Sequence, residues 1–383
     1  MLSVTQPSES PLRVYWTAFI GLFFDYYDLY LFVYLEKVLA KEFALTATQS
    51  SWLQFTGLAG VGVGALVFGY LADRFGRGRL MLAVFAVYVA GIAGLSLACS
   101  YESLLGFRLL ASLSLGAEWG ISHTYLTERV SGERRYRFSA LLQFSILGGL
   151  LAAMATRYGL PLVGWRWLFA ASIVPVLLLS LARWRGLTSE QPAMSGQRAD
   201  FWPAIRRNGG MFLLCFALAS LTIASGTVNI FYTKDLPQSP LYTVLFWGNV
   251  APGMLLGAWV VRRWGVARAL ALYAGGLLAL SAGAWLTRGM DSGRSGLVFA
   301  LVLPLLNGIP FGLMGAWFNE VFSEYRTMLS GAAYNLGRIL AGFAPVLITA
   351  LNLHEDGRYF LFSALLGLGV LGMAGVIRSG RRV

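Results

Sequence analysis

Three carboxylates and two arginines stand where an apolar chain has little reason to carry charge. Asp25 and Asp28 lie three apart in Phe24-Asp25-Tyr26-Tyr27-Asp28-Leu29-Tyr30, inside an apolar run that begins near Val14. At 1.5 Å per residue, Asp25 is about 16 Å along that run, near the middle of a membrane-spanning helix. Asp28 follows a turn later on a neighbouring part of the same face. A charge at such depth costs about 2.5–3.5 kcal/mol on insertion scales. Carboxylates placed there either bridge helices or carry protons, since a carboxylate in low dielectric can load and release a proton near neutrality. Arg108 enters a different apolar run about two turns from its end, at a depth similar to that of Asp28. The two are expected to meet. A guanidinium that grips the ionised acid and releases the neutral one converts protonation into helix movement. Glu118, in Gly116-Ala117-Glu118-Trp119-Gly120, lies further along the Arg108 helix.

Arg338 is a different case. It falls in Tyr334-Asn335-Leu336-Gly337-Arg338-Ile339-Leu340, nine residues past Leu329 and so about 13 Å deep. No carboxylate in the C-terminal half shares that depth, because Glu320 and Glu324 belong near the mouth. The expected partner is an anion from outside the chain, since Arg binds a carboxylate through two parallel hydrogen bonds. Tyr334, Asn335 and Gln143 are expected to meet its remaining oxygens. The competing reading is a guanidinium bonded to carbonyls at a helix break, which the bends at Pro304, Pro310, Gly308 and Gly312 would help to expose. Thr222, Ser225, Thr227 and Asn229 are further polar candidates for a central cavity. Trp119, Trp247, Tyr273 and Trp317 read as packing residues.

These residues need helices to position them, and composition supplies them. The chain has 383 residues, 57% hydrophobic and 13% charged, against about 25% charge in soluble domains. Twelve apolar runs fit membrane spans: Val14–Glu36, Ser51–Ala72, Leu80–Ser100, Ser103–Leu126, Phe138–Tyr158, Trp165–Arg183, Gly210–Tyr232, Leu241–Val261, Ala267–Leu286, Gly296–Phe318, Leu329–Leu351 and Tyr359–Ile377. A polar linker at 186–208 divides residues 1–185 from residues 209–383, six spans each. All but three of the thirty basic residues are Arg, and they collect in alternate loops. One side holds Arg13, Arg74, Arg77, Arg79, Arg129, Arg134, Arg135, Arg137, Arg183 through Arg207, Arg262, Arg263, Arg268, Arg326 and the tail. The other holds Lys37, Lys41, Arg157, Arg166, Lys234, Arg288, Arg294 and Arg358. By the positive-inside rule both termini face the cytoplasm. The net charge of +12 therefore reports topology, and no nucleic acid is expected as partner.

The turn Gly69-Tyr70-Leu71-Ala72-Asp73-Arg74-Phe75-Gly76-Arg77-Gly78-Arg79 joins the second and third runs. It resembles the G-x-L-A-D-R-x-G-R-x-R loop of the major facilitator superfamily. A fainter copy, Arg263-Trp264-Gly265-Val266-Ala267-Arg268, carries Arg262 where the first has Asp73. Two halves with a repeated turn suit a duplicated transporter. The stretch Arg108–Gly120 resembles the R-x-x-x-G-x-x-x-G-x-E-x-G pattern of the metabolite–proton and aromatic-acid–proton symporters. Those families also pair acids three apart in the first helix, as Asp25 and Asp28 are here. The resemblance implies an all-α membrane fold of twelve helices in two pseudo-symmetric bundles, secondary transport and proton coupling through Asp25, Asp28, Arg108 and Glu118. It also implies that Gly69, Asp73, Arg74, Gly76, Arg77 and Glu128 form a cytoplasmic latch that holds the outward-open state.

Other classes fit less well. There is no nucleophile elbow, metal spacing or phosphate loop, so the chain does not read as an enzyme, and a proton gradient rather than a cofactor is expected to drive it. Cys99 and Cys215 read as packing residues, and His123 and His354 are too few for a metal site. A drug exporter of this superfamily would carry a Gly-Pro kink in the fifth helix; Phe138–Tyr158 has Gly148 and Gly149 but no Pro. Buried charges and duplicated halves disfavour a channel or a receptor. The expectation is a monomeric importer of a small organic anion in a bacterial-type inner membrane, with drug export or sugar and polyol transport as alternatives.

Overall fold

The computed structural model describes residues 10–130, 132, 134–188, 201–232, 240–286, 292–353 and 359–379. Most of the expected linker, the Arg-poor connections at Lys234, Arg288 and Arg358, His354, and the side chains of Thr227, Asn229, Trp247 and Arg294 lie outside the described residues.

Apolar runs bounded by local caps become helices. The first, α1, spans Pro11–Glu42, with Pro at its first position and the Ser10 hydroxyl accepting from Arg13 N–H. Next come α2 at Ala47–Phe75, where Thr46 and Gln49 form a capping box, and α3 at Arg77–Ser96. Another box at Ser100 and Ser103 opens α4, Tyr101–Arg129. The fifth pass, α5, is composite: Arg134–Gln143, a 3₁₀ turn at Phe144–Leu147, Gly148–Met154 and a π turn at Ala155–Gly159. It runs into α6, Leu160–Thr188, and the chain reverses at Gly164, whose φ of 77° suits glycine. The second half holds α7 (Phe201–Tyr232), α8 (Pro240–Trp264), α9 (Val266–Leu286), α10 (Ser292–Val321), α11 (Arg326–Ala341, continuing as Ala344–Ala350) and α12 (Tyr359–Arg378).

Ten described segments are long and apolar enough to cross a membrane. One of them, Arg134–Leu181, has 48 residues, about 72 Å as a straight helix, more than twice the hydrocarbon thickness of about 30 Å. It makes two passes by turning at Gly164. With Pro240–Trp264 the spans number twelve.

The two halves repeat each other's packing. The tightest helix pairs are α2 with α4 in one and α8 with α10 in the other; α3 with α6 is matched by α9 with α12. Between halves, α2 packs on α11 and α5 on α8, which are the same contact under the pseudo-two-fold. Both related turns are built on one glycine, Gly76 at φ 100° and Gly265 at φ 84°. A side chain at either would strain a backbone that only glycine adopts freely.

This topology puts the start of α3 and the start of α9 at the same end of the molecule. Single cysteines replacing the exposed Arg79 and Arg268, in a Cys99→Ser, Cys215→Ser background, are therefore expected to react with an impermeant maleimide from one face of the membrane only. Reaction from opposite faces would contradict the twelve-span fold.

Candidate functional site

The latch forms at the end of the molecule that carries the glycine turns. Asp73 is buried and accepts from three donors: Arg77 Nη2 at 2.8 Å, Thr327 N–H at 3.1 Å and Met328 N–H at 2.9 Å. The last two are the first amides of α11, in the opposite half. Tyr325 precedes that helix in a left-handed conformation (φ 45°) and contributes no side-chain cap. Asp73 caps the helix from across the interface, placing a carboxylate on orphan amides and at the positive end of the helix dipole. Arg77 Nη2 also reaches Glu128 Oε1 at 3.1 Å, and Glu128 faces Arg326 at 3.9 Å. Gly69 lets α11 approach: a Cβ there would stand 2.7 Å from Met328 Cα. Arg74 points away, donating to Tyr70.

More bonds close the same end between halves. Glu320 of α10 accepts from Arg135 at 3.3 Å and from Tyr136 at 2.5 Å, and Thr124 donates to Asn319 at 2.6 Å.

Deeper in, the polar face of α1 is turned into its own half. Asp28 is buried between α3 and α6. Tyr88 donates to its Oδ2, and Ser172 Oγ lies 2.9 Å from Oδ2 and 3.1 Å from Oδ1. The expected pairing with Arg108 is not made. The Arg108 guanidinium sits 3.8 Å over the ring of Phe32, one turn along α1, in space left by Gly57, and its Nε is buried without a partner. An aromatic face attracts a cation, and Asp28 already has hydroxyl partners. Asp25 and Glu118 face each other across α1 and α4 as electrostatic neighbours. Gly21, one turn before Asp25, makes room for the Glu118 carboxyl. Glu118 Oε1 accepts from Ser122 at 2.6 Å, while Glu118 Oε2 and Asp25 Oδ2 are buried without hydrogen-bond partners.

The other face of α1 meets the C-terminal half. Arg338 Nη2 donates to Tyr26 Oη at 2.9 Å, and its guanidinium lies 5.4 Å and 4.9 Å from the rings of Tyr26 and Tyr334. The Tyr26 and Tyr334 hydroxyls are 3.2 Å apart. Arg338 Nη1 is buried without a partner, and no described carboxylate forms an ion pair with the side chain. Its Nη2 donates to a phenol, not to carbonyls at a helix break.

Two expected substrate contacts are already occupied. Gln143 accepts from Trp119 Nε1 at 3.1 Å, contacts His123 Nε2 at 3.0 Å and donates to the Phe311 carbonyl at 3.3 Å. Asn335 Nδ2 donates to the carbonyls of Gly116 and Gly331, both at 3.0 Å, tying α11 to α4. Trp119 stacks on Tyr334 with ring centres 3.9 Å apart, and His123 Nδ1 meets Ser139 at 3.2 Å. Sequence reading took Trp119 for packing, weighed His123 only as a metal ligand, and named neither Tyr88 nor Ser172. His123 falls one turn after Trp119, a spacing that could have joined them.

Residues 18–345 match the family model of the Major Facilitator Superfamily. The chain belongs to that superfamily. Among its relatives, the niacin transporter NiaP of Acinetobacter baylyi is 25% identical, with 94% of this chain and 92% of that protein aligned. The cis,cis-muconate transport protein of the same species is 27% identical over 86% of this chain and 85% of its own length. The solved proton:xylose symporter XylE superposes with a TM-score of 0.75 at 15% identity, covering 96% of this chain and 95% of that one. The chain is thus a major facilitator transporter, not an enzyme.

Asp73→Asn keeps the shape of the latch and removes its charge. A charge–dipole contact worth up to about 2 kcal/mol corresponds to a shift in the closed population of up to about thirtyfold. Spin labels at Phe75 and Trp202, exposed on opposite halves, are expected to show a longer, broader distance distribution in the variant. An unchanged distribution would show that Asp73 does not hold the halves together.

Proposed function

We propose that this transporter imports a small organic acid together with protons, by alternating access between the two bundles. The observation that carries the reading is Arg338. It lies at the interface of the halves, walled by Tyr26 and Tyr334, with one buried nitrogen lacking any acceptor. A buried donor without an acceptor costs about 1–3 kcal/mol, more for a charged group. A bound carboxylate would supply the acceptor and the counter-charge at once, and the phenol rings would flank a planar body. The names of the niacin and muconate relatives support the same choice, since both are names of carboxylic acids.

Asp25, Asp28 and Glu118 supply buried carboxyls for the protons. Asp28 faces away from the Tyr26–Arg338 contact, while Asp25 lies between them with both Glu118 and Arg338 as electrostatic neighbours, so α1 touches the proton-site groups on one side and the substrate cation of α11 on another. The latch end corresponds to the cytoplasmic side by the distribution of Arg. A chain with these groups is expected to sit in a bacterial inner membrane, both termini inside, and to act as a monomer driven by the proton gradient.

Removing one partner of a buried charge pair costs about 2–5 kcal/mol, and 1.4 kcal/mol is tenfold. Arg338→Ala is therefore expected to weaken acid binding by two orders of magnitude or so, and Arg338→Lys to restore little of it, since a point charge lacks the fork. Binding of nicotinate or muconate, compared with the methyl esters, checks this by thermal shift. Equal affinity for acid and ester, or a preference for a neutral sugar, would overturn the assignment.

A further inference from the structure

The side of α1 that meets Arg338 continues, toward the end opposite the latch, as a stripe of phenols and lysines. At about 100° per residue, Tyr26, Tyr30, Tyr34, Lys37 and Lys41 fall within an arc of about 80°. The rings of Tyr26, Tyr30 and Tyr34 stack in sequence, with centres 6.5 Å apart in each pair. Tyr26 is 3% exposed and accepts from Arg338, Tyr30 is half-buried, Tyr34 is 39% exposed, and both lysines are exposed. Leu31, Leu35 and Leu39, on the opposite side of the helix, are fully buried. Exposure therefore rises along one side only, over about 22 Å from Tyr26 to Lys41.

Arg338 is half-buried although it sits deep in the bundle. Toward the latch it is covered by Tyr334 and Trp119, a buried stack. The open side is that of Tyr30, an electrostatic neighbour of Arg338. The lysines are placed against the habit of this chain. Three of its thirty basic residues are Lys, all in Arg-poor connections, and two of the three stand on this arc. The acids nearby are turned elsewhere. Glu36 and Glu42 fall about 80° beyond either edge of the arc, and Glu42 pairs with Arg166 at 2.6 Å. A cleft wall of one sign concentrates counter-ions and raises their on-rates by about 10–10³.

We propose that this stripe is the entry path of the substrate anion: Lys37 and Lys41 form an outer subsite that gathers carboxylates, and the three phenols lead from it to Arg338. The path rests on the role given above to Arg338 and adds a second, outer place for the same anion. Lysine suits a station that must let go, because its ammonium is a strongly hydrated point charge on a flexible stem, whereas the guanidinium fork of Arg338 holds a carboxylate through two bonds. The anion passes from the looser grip to the tighter one.

Tyr30→Cys in a Cys99→Ser, Cys215→Ser background, purified in nanodiscs, puts one thiol on the path. Its reaction rates with an anionic and a cationic methanethiosulfonate, each divided by the rate with a free thiol in solution, give a ratio that reads the local field. The anion is expected to be favoured. Lys37→Gln with Lys41→Gln is expected to lower the ratio about tenfold at low salt and little at high salt, where exposed charges are screened. Tyr34→Cys, nearer the surface, is the second reporter if Tyr30→Cys does not fold. Failure of either folded reporter to react, or a ratio indifferent to the lysines, overturns the path. Stopped-flow association of muconate, nicotinate and methyl nicotinate gives a second readout: loss of the lysines should slow the dianion most, the monoanion less and the ester not at all. Equal effects on all three overturn the path. Arg338→Ala separates the path from the function proposed above. Acid binding indifferent to Arg338, with the lysine-dependent ratio intact, would overturn that function alone; Arg338-dependent binding with an unchanged ratio would overturn the path alone.

Discussion

A charge inside a membrane-spanning bundle must be answered, and the first helix is where this chain arranges most of the answers. Its two polar faces do different things. One turns Asp25 and Asp28 toward α3, α4 and α6, where Tyr88, Ser172 and Glu118 stand. The other turns Tyr26 toward α11, where Arg338 waits with an unanswered nitrogen. The cost of leaving polar groups unsatisfied in low dielectric fixes which side chains can face which helices, and the glycines follow from that. Gly21 admits Glu118, Gly57 admits Arg108 and Gly69 admits Met328.

The closed end uses the same physics at the level of the backbone. A helix that starts against another domain has orphan amides and the positive end of a dipole. Asp73 meets both on α11, and its partner Arg77 links the contact to Glu128. The second copy of the turn keeps the glycine but has Arg262 in place of the acid, so it cannot cap a helix in the same way. The duplication therefore preserves the glycine of both turns and makes the latch one-sided.

Much of this was legible in the sequence because membrane spans are written in apolar runs and Arg-rich turns. The twelve spans emerge with most ends within a few residues of those expected, although α7 starts at Phe201, nine residues before the expected Gly210, and α1 runs six residues past Glu36; the two turns share one glycine at positive φ. The depth of Asp28, Arg108 and Arg338 could be counted along their helices. Lateral partners could not. Arg108 and Asp28 share a depth, yet the aromatic face of Phe32 and the hydroxyls of Tyr88 and Ser172 intervene. A Tyr or Ser within an apolar helix leaves no periodic mark, and the amides of Thr327 and Met328 leave none at all. Gln143 looked available from its position on the fifth helix; only the rotation of α4, which brings Trp119 and His123 to it, shows that it is engaged.

In the proposed mechanism one helix links a proton on Asp28 to an acid on Arg338. Asp28→Asn tests it most directly, assayed in proteoliposomes with radiolabelled nicotinate or muconate in two modes: uptake against a gradient driven by an inward proton gradient, and one-for-one exchange with no gradient. The variant is expected to lose accumulation and keep exchange, because Arg338 is left intact while the proposed proton site is removed. Accumulation at the wild-type level in the variant would contradict it.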